Sequence, residues 1–171
     1  MRQKLAWSLG LLLLAGTANA QLSEWTARTG DRSLDRTLQS ISAEAKSDPS
    51  NFWSMLGKLH GIPEPEIQSA REATGLGPAD MYMASAIASI TRQPIARVAE
   101  ECSRNRDKGW GALAKEMGIK PGSTEFHRLK SDARGSLSKM KAAKKERQKH
   151  EKQMKQEQEN KAKGKGGGKS Y

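Results

Sequence analysis

The chain has a single cysteine, Cys102, in 171 residues. No intramolecular disulfide can form, so the core has to hold itself together by packing. Aromatic residues amount to only 5%. Long hydrophobic runs are missing as well. The one continuous apolar stretch, Leu5 to Leu14, is shorter than the roughly 20 residues a transmembrane helix needs. The three histidines, His60, His127 and His150, make no metal-ligand spacing. No segment alternates apolar and polar residues as a half-buried strand does. Disulfide scaffolds, membrane spans, zinc motifs and β architectures all lack their signatures, and no cofactor or metal is indicated.

What is present begins with the features of a secretory signal. Arg2 and Lys4 give a positive start, Leu5 to Leu14 an apolar centre, and Ala18-Asn19-Ala20 a small-residue cleavage site. Cleavage between Ala20 and Gln21 leaves 151 of the 171 residues, enough for one domain. The expected product is periplasmic or secreted, and with no cysteine after the cleavage site no lipoprotein is expected. The net charge of +11 is unevenly divided. Residues 128–171 carry 15 Lys and Arg against five Asp and Glu, whereas residues 21–127 carry 13 against 14. The folded part is nearly neutral, and the end of the chain is the cation.

Helical periodicity and regular Gly and Pro punctuation predict an all-α, compact bundle of six or seven short helices. Leu34, Leu38, Ile41 and Ala45 recur at helical spacing from about Asp31 to Lys46, and Asp48-Pro49-Ser50 ends that helix. A second helix carries Phe52, Met55, Leu56 and Leu59 to a left-handed stop at Gly61. A third spans Pro63 to Thr74. A fourth starts at Pro78, is apolar almost all round, and is expected at the centre. Helices from Pro94 to about Arg104 and from Gly109 to Met117 follow, then a short one from Ser123 to Lys130 with Ser123 as its cap. The predicted organisation is a signal at 1–20, a loose lead-in at 21–30, a helical domain at 31–130 and a Lys-rich tail at 131–171. In the tail Leu137, Met140 and Met154 look too sparse to face a core. Glu151–Lys155, Glu157–Lys161 and Glu159–Lys163 would support a solvated helix; the alternative is disorder.

The most patterned stretch is Gly109 to Lys130, GWGALAKEMGIKPGSTEFHRLK. Trp110, Leu113, Ala114 and Met117 make a buried helical face, and Gly109, Gly111, Gly118, Pro121, Gly122, Phe126 and His127 shape its turns and core, a packing role first. Leu113-Ala114 before Gly118 also has the look of a helix-turn-helix. Glu125 in its second helix and the Pro121-Gly122 break argue against DNA. Cys102 lies on an apolar stripe with Ile95, Val98 and Ala99, the position of a buried hydrophobe rather than a nucleophile. Met81 and Met83 sit on an apolar face rather than at a copper site. The terminal GKGGGKS lacks the glycine spacing and following helix of a phosphate-binding loop.

Residues Gly109 to Gly111, Ala114, Lys115, Gly118 to Ser123, Glu125 to His127, Leu129 and Lys130 fit the pattern GWG-x-x-AK-x-x-GIKPGS-x-EFH-x-LK. In this the chain resembles a family of uncharacterised small exported bacterial proteins. The resemblance implies the same exported helical domain and carries no activity or site over.

The leading functional expectation is a non-enzymatic binding module. Its cationic tail, centred on Lys139, Lys141, Lys144, Lys145, Arg147, Lys149, Lys152 and Lys155, would meet an anionic envelope component or an acidic protein. Deleting residues 131–171 is expected to leave the domain folded. One alternative is nucleic-acid binding through residues 109–130 and the tail. Another is a small enzyme or chaperone with a cleft near Trp110 and His127.

Overall fold

A computed structural model describes residues 27–165, with side chains to residue 162. Among them the only regular structure is helix: α1 (Arg32–Ser47), α2 (Pro49–His60), α3 (Glu64–Thr74), α4 (Pro78–Thr91), α5 (Ile95–Arg104), α6 (Trp110–Glu116) and α7 (Thr124–Lys165). The expected all-α bundle is present, with seven helices among the described residues. The expected signal segment and the expected cleavage pair Ala20 and Gln21 lie outside them, as does the terminal glycine-rich end.

The boundaries follow local chemistry. Asp31 caps α1 by accepting from the amides of Ser33 and Leu34, each at 2.9 Å. Asp48 closes α1 and opens α2, its carboxylate accepting from the Asn51 amide at 3.3 Å. Gly61 (φ 66°) and Gly75 (φ 63°) end α2 and α3 in the left-handed region. Helix α4 is the central one. Met81 to Ala88 are buried without interruption, and α1, α2, α3, α5 and α7 all pack on it.

Two predicted boundaries are corrected. Residues 27–30 are not a loose lead-in: Ala27 and Thr29 are buried, and the amides of Trp110 and Gly111 donate to the Ala27 and Arg28 carbonyls at 2.9 and 3.1 Å. The chain also does not leave the core at residue 130. Helix α7 continues without a break to Lys165, about 63 Å at 1.5 Å per residue. Leu129, Ala133, Ser136 and Met140, at spacings of four, three and four, are buried, and Leu137 packs against the same core. Two of those four are small residues that let the helix approach closely, so a count of large apolar side chains misses the stripe.

Candidate binding surface on the C-terminal helix

The first half of α7 is fixed to α1 by polar contacts flanking its buried stripe. Lys130 pairs with Asp31, a guanidinium nitrogen of Arg134 donates to Ser33 Oγ at 2.9 Å, Lys144 pairs with Glu44 at 3.3 Å, and Arg147 pairs with Asp48. Both partners rise in number together, so α1 and α7 run parallel. Lys144 also donates to Ser47 Oγ at 3.0 Å. The Lys130 ammonium, with the helix amides behind it, holds the Asp31 carboxyl below its ordinary range. Partly exposed pairs of this kind each contribute at most about 1 kcal/mol. Their value here is in fixing register.

On the inner side, the Tyr82 hydroxyl donates to Ser136 Oγ at 3.1 Å. The His60 ring meets the Tyr82 ring edge-on, with centroids 5.0 Å apart, and His60 Nε2 is buried with no hydrogen-bond partner among the described residues. Burial is the first cause holding the His60 pKa down to about 4. It also raises the Tyr82 pKa.

After Arg147 the helix leaves the body, and residues 148–162 are all exposed. Glu151–Lys155 and Glu157–Lys161 pair at 2.8 and 2.5 Å, as their i,i+4 spacing predicts. The Lys163 side chain lies outside the described residues. Of the eight tail cations picked from sequence, Lys144 and Arg147 are drawn into the contact with α1, a correction to their expected role as free charges. Lys155 is matched by Glu151, while Lys139, Lys141, Lys145, Lys149 and Lys152 are exposed.

The 109–130 motif builds the body. Trp110 is 2% exposed and its indole nitrogen donates to Asp80 Oδ1 at 2.8 Å. A Cβ on Gly109 would stand 2.7 Å from Arg28 Cβ, and one on Gly111 only 2.6 Å from the Thr29 carbonyl oxygen. The two glycines are therefore what lets the 27–29 segment lie against α6. Gly118 (φ 93°) and Gly122 (φ 78°) make the turns around buried Ile119, and Pro121 is exposed between them. Ser123 Oγ accepts from the Phe126 amide at 3.2 Å as the cap of α7.

Phe126 packs on the core, whereas His127 is exposed one residue on. The space bounded by Trp110, Gly111, Ile119 and Phe126 is about 10 Å³, room for about one water, and His127 is not part of its lining. Cys102 is buried and its thiol is pushed up to about 12, chiefly by burial, in keeping with its place on the apolar stripe of α5. Met81 and Met83 are core residues.

Among the described residues no group of three His, Cys, Asp or Glu is placed to hold a metal ion, and no helix is long and apolar enough to cross a membrane. An open groove of about 470 Å³ lies between α3 and α5, lined by Ala70, Ala73, Ile95 and Ala96 together with Glu66 and Glu100. No family model, curated protein or solved structure matches the chain. Sequence reasoning misses Asp31, Glu44 and Asp48 as partners of α7, because contacts across about a hundred residues leave no local pattern.

Proposed function

We propose that the protein is an exported, non-enzymatic binding module in which α7 is the working element, presenting cationic side chains to an anionic partner of the cell envelope. The observation that carries this reading is the division of α7. One side is sealed to α1 and α4, while the opposite side and the last turns are solvated and rich in lysine. A cationic helix braced on a near-neutral body attracts polyanions through screened Coulomb forces and needs no cleft. The signal-like start of the chain supports a partner outside the cytoplasm.

The deletion that tests it must respect the corrected boundary. Removing residues 148–171 takes away seven lysines and three glutamates and leaves every buried α7 residue in place. The expected result is an intact thermal transition with salt-sensitive attachment to anionic envelope material weakened about tenfold or more. Undiminished attachment would show that the projecting turns are not involved. Mass spectrometry of the mature N-terminus checks the address: a product starting at Gln21 supports it, and a cytoplasmic product retaining Met1 rejects it.

A further inference from the structure

The groove between α3 and α5 runs along two helices that start and end together. Ser103 Oγ donates to the Thr74 carbonyl at 3.3 Å where both end, and Glu66 and Ile95, near their starts, line the same groove. Its walls are small side chains for the most part: Ala73 and Ala96 are exposed, with Ala70 and Ile95 buried. From Glu66 to Thr74 the helix rises about 12 Å. Apolar walls around an open space of about 470 Å³ lack packing partners on one side, so the groove favours an occupant with apolar side chains.

Two hydrogen bonds lead from the first described residues to one end of this groove. A guanidinium nitrogen of Arg28 donates to the Arg106 carbonyl at 2.9 Å, and a guanidinium nitrogen of Arg106 donates to the Thr74 carbonyl at 2.9 Å. Thr74 is part of the groove lining. The chain is tied down at that point, because Ala27 is buried and its carbonyl accepts from the Trp110 amide. The residues just before it, Gln21 to Thr26, read QLSEWT.

Six residues reach about 20 Å when extended, enough to run the length of the groove. Leu22 and Trp25 are the large apolar side chains of the segment. Their spacing of three puts them on one side of a helical turn or of a polyproline-type strand, with Glu24 turned away from that side. Glu24 is the one charged side chain in the segment. Arg28 and Arg106, neighbours at the Thr74 end, are both exposed, and neither is ion-paired among the described residues.

We propose that the α3–α5 groove is the docking site for the chain's own segment 21–26. Trp25 and Leu22 lie on Ala70, Ala73 and Ala96, and the Glu24 carboxylate turns to Arg28 and Arg106. Three observations select this occupant. The groove begins where the described chain is tied, the segment is long enough to follow it, and its two apolar side chains and single acid match the apolar walls and the two arginines. A tethered occupant also has an effective concentration of about millimolar or more, which a separate partner has to exceed. Seated in this way, the segment closes the groove to outside ligands. The proposal stands apart from the reading of α7 and depends only on the tether at Ala27.

The test is photo-crosslinking of the purified full chain carrying Trp25→p-benzoylphenylalanine. The expected product is a monomer cross-linked from residue 25 to peptides covering residues 65–74 or 94–100, located by mass spectrometry. Ala73→Asp and, on the opposite wall, Ala96→Asp place a charge under the apolar side chains and should each lower the yield about tenfold. Both positions are exposed, and circular dichroism checks that the helices remain; if one variant loses them, the other carries the comparison. Ala142→Asp, exposed on α7, should leave the yield within about twofold. Cross-linked dimers would overturn the proposal in favour of a second copy in the groove. Cross-links to other elements, no cross-link at all, or a yield that the groove variants leave unchanged would each overturn it too.

Discussion

His60 is the residue whose chemistry is most at odds with its place. It titrates near 6.5 when free, and burial against Tyr82 lowers it to about 4 in the folded protein. Between those values the unfolded chain takes up a proton that the folded one refuses. The stability that follows is fully present above pH 6.5, declines at up to about 1.4 kcal/mol per pH unit as pH falls, and levels off near pH 4. His60→Phe, which keeps a ring against Tyr82 and removes the titration, should flatten the dependence of the urea midpoint on pH across that window. Matching slopes in variant and wild type would assign the loss to carboxylates. The glycines make a second contrast. Gly111→Ala drives a methyl into the Thr29 carbonyl and should destabilise by about 1–3 kcal/mol. Gly135→Ala, on an α7 face where a methyl meets nothing within 4 Å, should stabilise by about 0.5–1 kcal/mol. Chemical denaturation of the two variants measures both, and similar costs would contradict the close approach of residues 27–29 to α6.

At the scale of elements, the sequence reveals α1 to α6 nearly residue by residue, because breaks rich in Asp, Asn, Gly or Pro bound each stretch of helical apolar spacing. Asp31, Gly61, Gly75 and Pro78 do in the structure what their chemistry prescribes. Helix α7 is legible only at its start. Its inward face passes from Leu129 through Ala133 and Ser136 to Met140, and small residues at a close helix contact resemble solvated ones when seen without their partners. The 27–29 segment is hidden for a related reason. It is held by carbonyls, which every residue has, and by the missing Cβ atoms of Gly109 and Gly111. The cationic surface is read from composition alone, but its division into lysines and arginines that clamp and lysines that face water requires α1. Deletion of residues 131–171 should therefore strip Ala133, Ser136 and Met140 from the core and lower the melting temperature by at least about 5 °C. A melting temperature equal to that of the 148–171 deletion would show that α7 is dispensable to the fold.

For the molecule as a whole, the charge imbalance and the architecture are one arrangement. The acidic residues at the two ends of α1, Asp31, Glu44 and Asp48, receive α7, and the remaining lysines of that helix are turned outward. Salt should separate the two uses. The clamp is backed by a buried apolar stripe, so raising ionic strength from about 0.05 to 0.2 M should shift thermal stability by less than about 1 kcal/mol. Attachment to polyanions over the same range should fall by an order of magnitude or more. Parallel titrations of melting temperature and binding measure the difference, and a fall of both together would mean that α7 is held by charge rather than by packing.

The parallel seating of α7 on α1 also has a kinetic consequence. The pairs that join them span about a hundred residues: Lys130 with Asp31, Arg134 with Ser33 and Lys144 with Glu44. A contact that closes so long a loop forms late, since its chain entropy is lost before the contact returns anything. Until the C-terminal helix has been synthesised, the sides of α1 and α4 that will receive it stay uncovered and the domain is unfinished. A nascent chain of this design lacks the last part of its core, from Leu129 to Met140, until α7 has left the ribosome.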